Sequence, residues 1–387
     1  MVEEENMVEE KNNITTKQHY NFLDALRGIA ILGVILVHSG LSCGLTGISL
    51  SLCFAGQRGV QLFYVVSAFA LLYSFDVRSK NEKYPIKNYF IRRYFRIAPL
   101  FYIAVIGNLL IHGFSSWHDA PNGLNWLKIM AGLLFLNGWH PDTINAIAMG
   151  GWSIADEFSF YLILPVILSW IKTARTALIF LIFSAVLAII FSASCASLLN
   201  HVEYFSFLWF PIQFPVFCMG ILAYYIVKES KDCFLKSKHI KIYSLLLAVC
   251  SAIIFLTSFP TRNDTLYWSS FAFVPLIIGL SIHEWKFFVN RVSIFLGKIS
   301  FSIYLVHFFF LLGISRSAEG YLMFFGEGGG LMIKPGTFYA LTVTYICVFL
   351  PTVIVSIFTH KFIETKGINL GRNLIERWEK TKMSARI

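Results

Sequence analysis

The sequence predicts an all-α polytopic membrane protein of about ten transmembrane helices with both termini in the cytoplasm. Three observations carry that prediction: the composition, a series of apolar runs, and a lopsided distribution of basic residues. Hydrophobic residues fill 56% of the 387 positions and charged residues only 14%, against roughly 45–50% and roughly 25% in an ordinary soluble protein. Mean hydropathy is +0.65. No soluble fold hides that much apolar surface, and the same figures exclude a disordered chain, a disulfide-rich secreted scaffold and a coiled coil.

Candidate spans fall at 23–41, 59–75, 97–113, 158–171, 177–195, 209–227, 242–259, 267–283, 300–315 and 337–359. Most approach the about 17–25 residues that cross a bilayer, while 158–171 and 300–315 are short. The apolar stretch 126–138 is too short to span and is expected to be interfacial or re-entrant. With the N-terminus inside, segments 1–22, 76–96, 172–176, 228–241, 284–299 and 360–387 hold 26 of the 32 Lys and Arg residues. The outer segments hold Arg58, Lys128, Arg262, Arg316 and Lys334, and Arg27 lies within a span. This is the excess that the positive-inside rule requires of a correct span count.

The organisation that follows is a polar tail over 1–20, one transmembrane unit over 21–364 and a basic cytoplasmic tail over 365–387. The tail carries Glu3, Glu4, Glu5, Glu9 and Glu10 and no apolar core, so it is not a signal peptide. The net charge of +10 resides at the span flanks, which points to membrane topology and anionic lipid rather than to nucleic acid. The seven cysteines form no C-x-x-C pair. Cys43 and Cys53 lie close to one membrane face, and whether they pair is open.

Ionisable residues inside spans are costly and mark function by default. In NFLDALRGIAILGVILVHSG (21–40), Arg27 and His38 are eleven residues apart. That spacing is about 20° beyond three full helical turns, so they share a face roughly 16 Å apart along the axis. Asp24 precedes Arg27 by three residues and can pair with it. A snorkelling Arg27 and a helix-capping His38 are the bland alternatives; a neutral imidazole in an apolar site is a candidate general base. In KNYFIRRYFRIAPL (87–100), Arg93 and Arg96 share a face at the cytoplasmic mouth while Arg92 points elsewhere. Topology alone accounts for one such arginine; three suit an anionic ligand, since guanidinium grips phosphate bidentately. Tyr94 or Phe95 could stack on a base, and coenzyme A would fit. In GGWSIADEFSFYLILP (150–165), Ser153, Glu157 and Tyr161 recur every four residues on one face, with Asp156 beside them as a first-turn acid. In FLGKISFSIYLVHFFF (295–310), Ser300, Tyr304 and His307 form a further polar stripe, for which a structural interhelical role competes.

There is no metal-ligand spacing, no Walker A, no dinucleotide fingerprint and no G-x-S-x-G. Hydrolase and nucleotide-driven pump readings therefore have no support. A transporter or flippase for an anionic envelope precursor is the rival to an enzyme. It accounts less well for the arginine mouth.

Taken in order, these clusters resemble the membrane-bound acyltransferase-3 family. Leu23-Asp24-Ala25-Leu26-Arg27-Gly28-Ile29-Ala30 with His38 is similar to its opening motif, and Gly59 to Phe69 to its second span, with Ala68 where glycine is usual. Arg93 and Arg96 match its R-x-x-R pair. Trp152, Ser153, Ile154, Glu157, Phe160 and Tyr161, then Ile299 to His307 and Phe362 to Glu364, match its later motifs. The resemblance implies transfer of an acetyl group from acetyl-CoA to a hydroxyl of an envelope carbohydrate such as O-antigen or exopolysaccharide, in a bacterial cytoplasmic membrane. It further implies the stand-alone type without an SGNH-type domain, an acyl-CoA donor, a carbohydrate acceptor and no metal. His38, Arg27 and Glu157 would be catalytic, and Arg93, Arg96 and Arg27 would bind the donor. Asp24, Tyr161, Tyr304 and His307 would bind or orient substrate. Direct general-base transfer is preferred over an acetyl-His intermediate.

Overall fold

In the computed structural model the described residues are 20–116, 120, 122–198, 203–235, 237–258, 265–316, 322–324 and 332–384. The polar tail over 1–19 and the Gly-rich stretch 326–330 lie outside them. Among the described residues, eight helices are long and apolar enough to cross a membrane, or nine if one bent pair forms a single span.

All ten apolar runs appear as helices. The first is α1 (Asn21–Ser42), followed by the short α2 (Gly47–Phe54), α3 (Gly59–Ser79) and α4 (Pro85–His112). The stretch expected at the interface is α5 (Trp126–Leu133), too short to span. Next come α6 (Gly151–Trp170), α7 (Ala174–Leu198), the short α8 (Glu203–Leu208), α9 (Phe210–Leu235) and α10 (Ile240–Thr257). The run at 267–283 is split into α11 (Leu266–Phe271) and α12 (Phe273–Ile282). The run at 300–315 is α14 (Ser300–Leu312), bent 75° from α13 (Arg291–Lys298). Asn290 starts α13 with a capping box closed by Ser293, which fixes the chain direction at that corner.

Two boundaries differ from expectation. The span placed at 158–171 begins at Gly151, because Ser153, Asp156 and Glu157 lower the local hydropathy without breaking the helix. The basic segment from 365 is helical. It is helix α16 (Thr365–Ser384), reached from α15 (Phe338–Thr359) through a π-helical turn over His360–Glu364. It lies along α4, where Asn88 donates to Glu379 at 2.9 Å. A small antiparallel sheet, β1 (Ile314–Arg316), β2 (Leu322–Phe324) and β3 (Met332–Ile333), joins α14 to α15, with Ile314 opposite Phe324 and Leu322 opposite Ile333. Strands of two or three residues carry no readable period, so the all-α expectation passed over them. Leu322, Phe324 and Ile333 cover Cys43 and Cys53 in a small apolar cluster. Both cysteines are buried thiols, and Cys43 donates to the Gly40 carbonyl oxygen at 3.5 Å.

The central helices are α1 and α9, whose most apolar windows are 67% and 83% buried, whereas α7 and α10 at 22% and 11% face lipid. Backbones meet where side chains vanish. A Cβ on Gly28 would overlap the Ser293 carbonyl oxygen, and one on Gly297 the Asp24 carbonyl oxygen. These two glycines let α1 and α13 touch, which is how small residues serve membrane helices. Between α3 and α9 the bond from Gln61 Nε2 to Gln213 Oε1, 3.1 Å, adds buried polar glue, worth about 0.6 kcal/mol on average.

Replacing Gly297 by valine should therefore force α1 and α13 apart. Overpacking of this kind costs about 1–3 kcal/mol, and the detergent-solubilised protein should lose at least about 2–4 °C of Tm. An unchanged Tm would contradict this packing.

Candidate active site

Helices α1, α3, α4, α6 and α14 bring the polar residues around two adjoining cavities. The first, about 60 Å³, is lined by Arg27, Ser67, Arg96, Glu157, Tyr161 and Tyr304, among others. Helical spacing puts Glu157 and Tyr161 one turn apart on α6, and the Tyr161 hydroxyl donates to Glu157 Oε1 at 2.6 Å. Ser67 of α3 donates to the same oxygen at 2.8 Å. The carboxylate is thus held by two hydroxyls. Arg27 Nη1 lies 3.3 Å from Asp24 Oδ1, an i,i+3 pair on α1. Arg96 sits in the field of Glu364, Glu157 and Asp24. Glu364 is itself buried, accepts from Ser302 at 3.1 Å and contacts His360 at 3.1 Å.

The second cavity, about 650 Å³, lies at the other end of α1 and is lined by His38, Gln57, Gln61, Asn145, Trp152 and Phe308 among others. Val60 and Tyr304 line both cavities, so the two adjoin at those side chains. The Ser153 hydroxyl donates to the Tyr304 hydroxyl at 2.7 Å, and Tyr304 donates to the Gly150 carbonyl oxygen at 3.0 Å. Gly150 has φ +71°, and a Cβ there would stand 2.8 Å from the Tyr304 hydroxyl. Glycine is thus required both by backbone conformation and by the tyrosine.

The expected residues separate on inspection. Arg27, Arg96, Glu157, Tyr161 and Tyr304 line the first cavity, and Tyr304 also reaches the second, with His38. Arg93 is not on the cavity wall. Its guanidinium packs 6.0 Å from the Tyr161 ring centre and 5.9 Å from that of Tyr89, and its buried Nε has no hydrogen-bond partner among the described residues. One turn of helix separates Arg93 from Arg96, but Tyr161 covers only the former. Asp24 acts behind Arg27. His307 is wholly buried behind His38, its Nε2 2.9 Å from His38 Nδ1.

Arg92 does point elsewhere, in a bidentate pair with Glu82 at 2.7 and 3.0 Å. Neither aromatic offered for base stacking lines these two cavities: Tyr94 bonds Tyr102 at 3.2 Å, and Phe95 lies under Gly367 and Gly371 of α16. Asp156 is wholly buried and accepts from Tyr64 at 3.1 Å, a structural acid. Sequence reasoning missed Ser67 and Tyr64, ordinary residues of an apolar run, and gave Glu364 no role. For Glu364 a signal existed, an acid at the end of a span. Among the described residues no group of three or more metal-binding side chains gathers.

Residues 20–361 match the acyltransferase domain that defines the acyltransferase-3 family. A protein of Acidianus two-tailed virus, provisionally named an acetyltransferase, is 27% identical over 314 residues, covering 79% of this chain and 88% of the relative. One from Staphylococcus aureus strain COL, provisionally named an O-acetyltransferase, is 26% identical over 322 residues, 74% of this chain and 50% of the relative. The chain thus spans about half the length of that staphylococcal relative. The peptidoglycan O-acetyltransferase of Listeria monocytogenes is 24% identical over 180 residues, 42% of this chain and 27% of that one. No solved structure matches the chain. With the family match running from the first span to the last, the chain belongs to the acyltransferase-3 family and is a multi-pass membrane acyltransferase.

Proposed function

We propose that the chain is an O-acetyltransferase that moves an acetyl group from cytoplasmic acetyl-CoA to a hydroxyl of an envelope carbohydrate on the other side of a bacterial cytoplasmic membrane. The observation that carries the proposal is the pair of cavities. One presents Arg27 and Arg96, the other presents His38, and they share a wall at Val60 and Tyr304. A thioester on a long anionic carrier needs cations for its phosphates and a base within reach beyond them; the arrangement puts the cations in one cavity and the base in the next.

Donor phosphates would meet Arg96 and Arg27, with Glu157 holding the local charge balance. The thioester would reach past Tyr304 toward His38. His38 would take the proton of the acceptor hydroxyl as its oxygen attacks the thioester carbonyl carbon. Collapse of the tetrahedral intermediate would break the carbon–sulfur bond, releasing the thiolate of coenzyme A and the acetyl ester. The amides of Gln57 and Asn145 and the Trp152 ring, which line this cavity, suit the hydroxyls and apolar faces of a sugar. That the staphylococcal and listerial relatives are named O-acetyltransferases, the latter acting on peptidoglycan, supports a glycan acceptor.

His38→Ala should abolish O-acetylation of the cell envelope while the protein still inserts at wild-type level, measured as alkali-released acetate against immunoblotted membranes. Wild-type acetate release would remove His38 from the chemistry.

Arg96→Ala should weaken acetyl-CoA binding by about 1.5–3 kcal/mol, the value of a charge-assisted hydrogen bond. Arg93→Ala should weaken it less, since Arg93 acts through Tyr161. Calorimetry in detergent measures both, and equal losses would place both arginines on the phosphates.

The orientation follows from the basic flanks. Lys80, between α3 and α4, and Lys334, before α15, are both exposed. In a background without native cysteines, Lys334→Cys should react with an impermeant thiol reagent in intact spheroplasts. Lys80→Cys should react only after permeabilisation. The reverse pattern would put the arginine cavity on the outer face.

A further inference from the structure

We infer that His307 is a positioning residue that keeps the proton of His38 on Nδ1 and so leaves the Nε2 lone pair as the base. The inference rests on the reading of His38 as the group that deprotonates the acceptor, and it assigns His307 a defined task. The chain of bonds starts at a backbone carbonyl. His307 Nδ1 lies 3.2 Å from the carbonyl oxygen of Ile303, one turn earlier on α14. A carbonyl oxygen only accepts, so Nδ1 of His307 carries a proton. In the neutral ring Nε2 is then an acceptor. That nitrogen lies 2.9 Å from His38 Nδ1, so His38 Nδ1 donates and His38 Nε2 is left without a proton.

The ring geometry agrees. The two imidazoles are 4° from parallel with centroids 5.2 Å apart. A centroid separation so much larger than the N–N distance means rings lying edge to edge in one plane, as an in-line hydrogen bond requires. Phe308 covers the pair, 4.9 Å from His38 and 4.0 Å from His307. Accessibility divides the roles: His307 is 0% exposed, whereas His38 lines the larger cavity. Among the described residues none hydrogen-bonds His38 Nε2, so that nitrogen is open to an incoming hydroxyl. The bond spans 269 residues of sequence. In a serine–histidine–aspartate site the acid does the same work, and giving the imidazole the wrong tautomer there costs about 10⁴-fold in kcat.

The test combines a spectroscopic and a kinetic readout on the full chain. In protein with ¹⁵N-labelled histidines in detergent, the His38 resonances, identified by their loss in His38→Ala, should show a protonated Nδ1 and a bare Nε2. In His307→Leu, which fills the space without an acceptor, that preference should disappear. Thiol release from acetyl-CoA in membrane vesicles of the producing cells, which supply the acceptor, should fall about 10²-fold or more in kcat with donor KM within about threefold. His307→Gln, whose Oε1 can accept from His38, should recover at least about tenfold of that loss. A proton on His38 Nε2 in the wild-type protein, or wild-type kcat in His307→Leu, overturns the inference. Should His307→Leu fail to fold, the wild-type spectrum and the glutamine variant decide. Absence of thioester cleavage by the wild-type protein would instead count against the acetyltransferase reading, and the spectrum would still decide the tautomer.

Discussion

The site depends on how α1 is buried. This helix carries a carboxylate, a guanidinium and an imidazole into the middle of an apolar bundle, and each has to be met by something polar. Asp24 answers Arg27 within the helix, and His307 answers His38 from α14. The first pair is local to the helix; the second needs a neighbouring helix to come close, and Gly28 and Gly297 let α13, which leads into α14, pack against α1. Every later feature, the two cavities included, is arranged around that one central helix.

From this centre the bundle sorts polar groups by what they can reach. Hydroxyls from two helices hold the Glu157 carboxylate, so an acid stays beside two guanidinium groups in a cavity that is otherwise cationic. The π-helical turn between α15 and α16 carries Glu364 inward to Ser302, near Arg96. An extra residue in one helical turn is a common way to re-aim a side chain at a functional site. The arginine cluster, read along the chain as one cationic mouth, is three different things in space. Arg92 is an ion pair with Glu82, Arg93 is packed on aromatic rings, and Arg96 lines the cavity.

The wall between the cavities matters as much as the cavities. Tyr304 is held by Ser153 and the carbonyl of Gly150, all three on or beside the ends of helices that also carry Glu157 and His307. The residues of the first cavity and the partner of His38 are therefore connected through α6 and α14.

The multi-pass helical character and the short list of intramembrane polar residues were legible in the sequence, because transfer free energies add along a chain and need no partner to be known; the count of ten was not, since among the described residues eight helices, or nine with the bent pair, are long enough to cross. The shared face of Arg27 and His38, and that of Glu157 and Tyr161, was legible too, since helical spacing is local. What the sequence could not decide is which residues meet across helices. His38 faces His307, Ser67 holds Glu157, Arg93 lies under Tyr161 while Arg96 lines the cavity, and the helix from Thr365 lies along α4. These depend on packing distances between residues far apart in the chain. Only the tertiary structure determines those, because close packing selects one arrangement among many that have the same hydropathy.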